Sequence, residues 1–155
     1  MTKIIKKYSE PGEWEVIIPF EKMGEEREWV GVVDARVPGE YKLYVVADHK
    51  VMRTKGRTVV RAVVGAGARV GIKGIIRIRK EAQETDDFLE LRVLMLDKTA
   101  RAVAEPELEI EANNVKASHA ASVGQVDKEQ ILYLMSRGLS QESAQEEIIN
   151  GFLIG

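Results

Sequence analysis

The chain contains two histidines, His49 and His119, and their neighbourhoods differ. His119 lies within residues 113–127, among Ala117, Ser118, Ala120, Ala121, Ser122 and Gly124, small residues that leave an imidazole accessible. Imidazole titrates near neutral pH and is a common metal ligand, so an accessible one is a candidate for proton transfer or metal contact. Ser118 beside it suggests a nucleophile–base pair, but neighbours in a strand point to opposite faces and cannot join side chains. His119 therefore reads first as a satisfied or surface imidazole, with a polar or transient metal contact as the alternative. His49 has no acidic or histidine partner at strand or helical spacing and is expected in a turn or on the surface.

Other chemistry-bearing stretches read as structure. Glu105, Glu107, Glu109 and Glu111 recur every second residue, which puts four carboxylates on one strand face, with Leu108 and Ile110 on the other. A solvated face explains them, although Glu109 or Glu111 could join His119 as a metal ligand. Asp86-Asp87 has no nucleophile paired with it. The glycine-rich run 65–74 lacks the Lys-Ser/Thr ending of a phosphate loop and reads as a turn between strands.

Composition removes whole classes of function. At 155 residues, 45% of them hydrophobic, the chain can bury a core as one compact unit. No apolar run is long enough to cross a bilayer, and Lys3, Lys6 and Lys7 are not followed by a signal-like stretch. Cysteine is absent, so there is no disulfide framework and no thiolate for zinc or an iron–sulfur cluster. A cytoplasmic setting is expected. The net charge of −2 comes from 31% charged residues of both signs, a mixed surface without a footprint for nucleic acid.

The elements that position these residues change character along the chain. Residues 14–18, 29–33 and 41–46 are β-branched or alternating and read as strands, punctuated by Pro11-Gly12, Pro19 and Pro38-Gly39. Longer apolar strands follow at 58–64, 74–78, 88–96 and 107–112. Shorter elements begin near Ala68, Ala82, Ala100 and Lys116, giving a loose spacing of roughly 16 residues. A repeating strand–turn–strand unit cannot bury its own inner face, and stacking the units does so. A sandwich or barrel also has many short strands, but Asn-Gly and Asp-Gly hairpin turns are missing, which favours the solenoid.

The core is expected over residues 1–126, with a helical segment over 127–155. Asp127 caps a helix over 128–137, with Gln130 as a capping-box partner and Gly138 as its stop. Ser140 caps a second over 141–152, where Ala144, Ile148 and Phe152 form an apolar stripe. This helical hairpin is expected to pack on the solenoid's open end.

About half of the chain resembles the SufB/SufD family of iron–sulfur cluster assembly proteins, in the correct order. The resemblance is carried by Gly74-Ile75-Ile76-Arg77-Ile78, Glu81-Ala82-Gln83-Glu84-Thr85-Asp86, Leu94-Met95-Leu96-Asp97-Lys98 and Glu105-Pro106-Glu107-Leu108-Glu109-Ile110. It continues through Val115-Lys116-Ala117-Ser118-His119-Ala120, Leu132-Tyr133-Leu134-Met135-Ser136-Arg137-Gly138-Leu139 and Ile149-Asn150-Gly151-Phe152. It implies a right-handed parallel β-helix followed by a helical segment, acting as a non-enzymatic scaffold. It also implies docking of a SufC-type ABC ATPase on that segment, with Tyr133, Ser136, Arg137, Gly138, Asn150, Gly151 and Phe152 as candidates. Pairing with a second copy or a SufB/SufD relative is expected through the edge strands. His119 matches the family's histidine at the end of the β-helix, and Glu111 is the accompanying candidate metal ligand. Two departures stand out: Ala117 replaces the cysteine of Cys-Ser-His, and Ala112 follows Ile110-Glu111 where SufB-like members carry cysteine. No stably bound cofactor is expected, and an iron–sulfur cluster only in a complex.

Overall fold

The computed structural model describes residues 1–155. Nine strands precede two helices: β1 (Thr2–Tyr8), β2 (Gly12–Phe20), β3 (Glu26–Ala35), β4 (Gly39–His49), β5 (Lys55–Val64), β6 (Ala68–Ile78), β7 (Asp86–Met95), β8 (Arg101–Ile110), β9 (Lys116–Gln125), α1 (Lys128–Ser136) and α2 (Gln141–Ile154). Odd-numbered strands form one sheet, β1-β3-β5-β7-β9, and even-numbered strands a second, β2-β4-β6-β8. All pairings are parallel, so the chain alternates between the sheets and climbs one coil per pair of strands. This is a parallel β-helix with a C-terminal helical hairpin, as expected.

Lys55 pairs with Asp86 and Asp86 with Lys116, so one coil takes about 30 residues. The spacing of roughly 16 read from the sequence is half a coil, the distance from one sheet to the other. Register turns the period-two pattern of each strand into rows that run up the solenoid. Inward rows include Trp29–Thr58–Leu89–His119 and Gly31–Val60–Leu91–Ala121 on the first sheet, and Ala47–Ile76–Leu108 on the second. These rows meet in one core cluster of 23 buried residues, so the coils stabilise one another rather than standing alone. Each fully buried Leu, Ile or Val in it contributes about 1.5–3 kcal/mol.

Several boundaries differ from those read in the sequence. The element expected from Ala68 and the strand expected at 74–78 are one strand, β6. Ala82 lies in a turn, its N–H donating to the Arg79 carbonyl, and its methyl is fully buried at a corner. Pro19 sits inside β2, not at its end; β2 is the edge of its sheet, where a missing donor is tolerated. β1 escaped notice because its side chains are mostly exposed and its lysines interrupt any apolar run.

The corners repeat as well. Arg53 and Glu84 occupy equivalent turn positions with φ of 58° and 60°, and Arg53 Nε donates to Glu84 Oε2 at 2.8 Å. Their N–H groups donate to the carbonyls of Gln83 and Asn114 in the next coil, at 2.9 and 2.6 Å. The backbone ladder thus continues through the turns, which holds two non-glycine residues in the left-handed region.

The caps fall where the sequence placed them. Asp127 accepts from the Glu129 N–H and Ser140 from the Ser143 N–H. Asp127 is thus satisfied within the first turn without the expected Gln130 partner. Gly138, at φ 99°, closes α1 with bonds from Gly138 N to Met135 O and from Leu139 N to Leu134 O, a complete Schellman motif. No helix is long and apolar enough to cross a membrane.

Candidate functional site

Three surfaces are left incomplete by the fold: the first and last coils of the solenoid and the outer face of the helical hairpin. β8 and β9 are the terminal strands of their sheets. Leu108 and Ile110 on β8, and His119, Ala121 and Val123 on β9, share the inward face, but no further coil covers them. Leu108, Ile110 and Val123 are accordingly 38–47% exposed although they continue core rows. At the other end, Tyr8 and Trp14 pack together with ring centroids 4.8 Å apart, and both stay half-buried against the core. The first coil is open as well, with Ile4 in register with Trp29 and 41% exposed, and the β8–β9 end carries the larger group of exposed inward apolar residues.

His119 sits on that open inward face, directly above Leu89, and is exposed. Ser118 is on the opposite face above Phe88, as the alternation requires. The glutamates of β8 lie on the outer face, where Glu107 pairs with Lys73 at 3.3 Å and Glu109 with Arg77 at 2.9 Å. Glu111 continues this outer row beside Arg79, and its N–H donates to the Ile78 carbonyl. The fold does not direct Glu109 or Glu111 towards His119, and no group of three or more His, Asp or Glu side chains gathers anywhere as a metal site.

The helical hairpin does not close the β8–β9 end. α2 lies on the outer face of the first sheet, where Ile149 packs with Val63 of β5 and Leu94 of β7 in a separate small cluster. Val63 and Leu94 are outward-facing apolar residues of an alternating strand pair, and α2 is what buries them. An ionic tether adds to this: Arg36 binds Asp34 through two nitrogens at 2.8 and 2.7 Å and reaches Glu146 of α2 at 2.7 Å. Arg36 holds the Asp34 carboxyl below the usual carboxylate range. Asp48 is likewise lowered: burial opposes its charge, and the pairing with Arg79 prevails. A lowered carboxyl contributes stability that is present above its unfolded pKa, about 4, and is lost as pH falls through the folded value. The urea midpoint is therefore expected to drop between about pH 4 and pH 2, and to drop less in Arg36→Ala and Arg79→Ala.

α1 buries no residue at all. Leu132 and Tyr133 are 64% and 57% exposed. Tyr133 accepts from the Arg137 guanidinium, whose carbon lies 5.5 Å from the ring centroid, and the Ser136 hydroxyl donates to the Tyr133 carbonyl at 2.6 Å. Tyr133, Ser136 and Arg137 are thus brought together, with Gly138 ending their helix. Between α1 and the β7–β8 turn runs an open groove of about 620 Å³, lined on its apolar side by Met95, Leu96, Val126, Ile131, Leu132 and Met135. Asn150 and Gly151 are exposed on α2, and nothing lies within 4 Å of where a Gly151 side chain would start. Phe152 differs from these: it is half-buried in the α2 packing, with Arg92 5.4 Å from its ring centroid.

His49 is the largest departure from the sequence reading. It is wholly buried at the end of β4, stacked on Phe20 and hydrogen-bonded to Asp87 and Thr54. Its acidic partner is 38 residues away, brought in by the coil repeat rather than by spacing within one strand.

Two parallel sheets stacked into a solenoid, flanked by a lateral helical hairpin, define a parallel β-helix scaffold. The chain belongs to the SufB/SufD family: the family model described as "SUF system FeS cluster assembly, SufBD core domain" matches residues 25–152. The chain is similar to the iron-sulfur cluster assembly protein SufD of Escherichia coli (strain K12), with 37% identity over 105 residues, 68% of this chain and 25% of that protein. SufD of Bacillus subtilis (strain 168) is 42% identical over 100 residues, 64% of this chain and 23% of its own length. SufB of the same organism is 32% identical over 105 residues, again 23% of its length. The chain therefore spans about a quarter of the length of these relatives.

Proposed function

We propose that the chain is a scaffold for iron–sulfur cluster assembly in a SUF-type system, docking a SufC-type ABC ATPase through its C-terminal helices. The observation that carries this reading is α1, a helix that buries none of its own residues while presenting Leu132 and Tyr133 beside an apolar groove. A helix gains most of its stability from packing an apolar face, so a docking partner is the element α1 lacks. The rigid solenoid and the tethered α2 give that partner a fixed platform. The open β8–β9 end suits a second copy or a SufB/SufD relative, since unpaired edges and exposed core rows are both covered by pairing there.

The test is co-purification with the ATPase. Leu132→Asp and Gly151→Arg are each expected to lower its recovery at least about tenfold, since either disrupts a packed interface centre. The β-rich circular dichroism is expected to stay unchanged, because both positions are exposed. Normal recovery with both variants places docking elsewhere. Phe152→Asp is a poorer probe, because Phe152 also holds α2 to the sheet.

A second reading, a direct carrier of iron or a cluster as cargo, is favoured by the exposed His119 on the open face. With no cysteine and no converging ligand set, such a carrier draws its remaining donors from a paired chain. Anaerobic reconstitution separates the two readings. An iron–sulfur absorption band that disappears in His119→Ala supports the carrier, and no band in the unaltered chain removes it.

A further inference from the structure

The cluster of His49, Thr54, Thr85 and Asp87 lies inside the solenoid and plays no part in the function proposed above. All four side chains are buried. His49 Nδ1 is 2.7 Å from Thr54 Oγ1, and Nε2 is 2.5 Å from Asp87 Oδ2. The Phe20 ring stacks on the imidazole, 4.0 Å between centroids and 11° from parallel. Thr85 Oγ1 donates to the Ala82 carbonyl at 2.9 Å, so its proton is committed, while Asp87 Oδ1 has no partner. Hydroxyl, imidazole and carboxylate in a row are the parts of a nucleophilic triad. None of them lines the groove across β2, β4, β6 and β8 or the groove beside α1, and a fully covered imidazole has no path to a substrate.

What remains is a buried pair of titratable groups. Low-dielectric surroundings penalise a net charge heavily, so such a pair is most stable when one proton is held between its members. The separation leaves no room for a water between the two groups, so a proton there is shared directly by imidazole and carboxyl. No other charge faces the pair from the coils stacked on it. In register, Asp87 lies between Gly56 and Ala117, and His49 lies between Phe20 and Ile78. Along its own strand Glu90 and Arg92 lie on the outward rows, and the adjacent Asp86 carboxylate further disfavours an Asp87 anion.

We propose that His49 and Asp87 form a proton-holding lock between neighbouring coils, which retains one proton in the folded chain above neutral pH and weakens when that proton leaves. Burial raises the Asp87 carboxyl above its usual range, with the His49 hydrogen bond pulling the other way, which agrees with a retained proton. The sign follows from the unfolded values of about 3.9 for Asp and 6.5 for His. Between them the unfolded pair also carries one proton, so stability is flat. Above about pH 6.5 the unfolded chain releases its proton and the folded chain keeps it. The folding equilibrium constant then falls about tenfold per pH unit until the folded pair is emptied.

The experiment is urea unfolding between about pH 6 and pH 9 for the unaltered chain, Asp87→Asn and His119→Ala. The unaltered chain and His119→Ala are expected to follow the tenfold-per-unit decline, and Asp87→Asn to lose it. Equal slopes in all three overturn the lock. The side-chain nitrogen resonances of His49 in the unaltered chain decide the matter if Asp87→Asn does not fold. Shifts that stay constant from about pH 6 to pH 8 support a retained proton, and a sigmoid centred near 6.5 overturns it.

Discussion

Gly56→Val is expected to destabilise the folded chain by about 3 kcal/mol or more, one of the largest effects of a single substitution in this solenoid. A side-chain carbon at Gly56 would sit 2.7–2.9 Å from three atoms of the Asp87 carboxyl group. That carboxyl cannot swing aside cheaply, because His49 holds it and His49 is itself wedged against Phe20 and Thr54. The new methyl groups either displace Asp87, leaving a buried polar pair broken, or push β5 out of register with β7. Breaking such a pair costs about 3–5 kcal/mol, and overpacking alone about 1–3 kcal/mol. Gly71→Ala is the matched control, since it faces outward with nothing within 4 Å of the added carbon. It is expected to be neutral or to stabilise by about 0.5 kcal/mol through the unfolded chain. Urea midpoints of the two variants check this. A Gly56→Val chain as stable as its parent shows that Asp87 is not held by His49.

The same residues show how far the sequence could be read. Alternation within a strand is local, so β2 to β9 and both helices are visible in outline, and the starts read near Ala68, Ala100 and Lys116 mark real strand starts or corners. Leu108 and Ile110 were placed on the inward face correctly, with the glutamates outside. His49 was misread because its partner depends on coil length. Asp87 reaches it only once about 30 residues have completed a turn, and spacing within one strand carries no trace of that. One clue was present: Asp48-His49 follows the apolar run Leu43 to Ala47 without a turn residue, which is how a strand continues. The placement of α2 was misjudged for a related reason. Its apolar stripe was legible, but so were outward Val63 and Leu94, and an outward apolar pair on two neighbouring strands is itself a docking seat for a helix. The docking residues on α1 and α2 came from family resemblance, because exposed side chains leave no periodic signature.

Ile149→Asp is expected to release the helical hairpin from the solenoid while the β-helix stays folded. Ile149 is 2% exposed and is the buried centre of the contact among Val63, Leu94, Ile148 and Phe152. A carboxylate there replaces the apolar contact with Val63 and Leu94, and burying it costs more than the small cluster supplies. The tether of Arg36 to Glu146 cannot compensate, since that pair is largely exposed and contributes at most about 1 kcal/mol. The solenoid core is a separate cluster with no member on α2, so its cohesion does not depend on the hairpin. The expected result is a loss of helical circular dichroism and rapid proteolysis near residues 137–140, with the main β unfolding transition retained. Ile154→Asp, at a residue 85% exposed, is expected to stay within about 0.5 kcal/mol of the parent. If Ile149→Asp instead abolished the β signal, helix and solenoid would form one cooperative unit. The partner-docking groove would then depend on the fold as a whole rather than on a docked appendage.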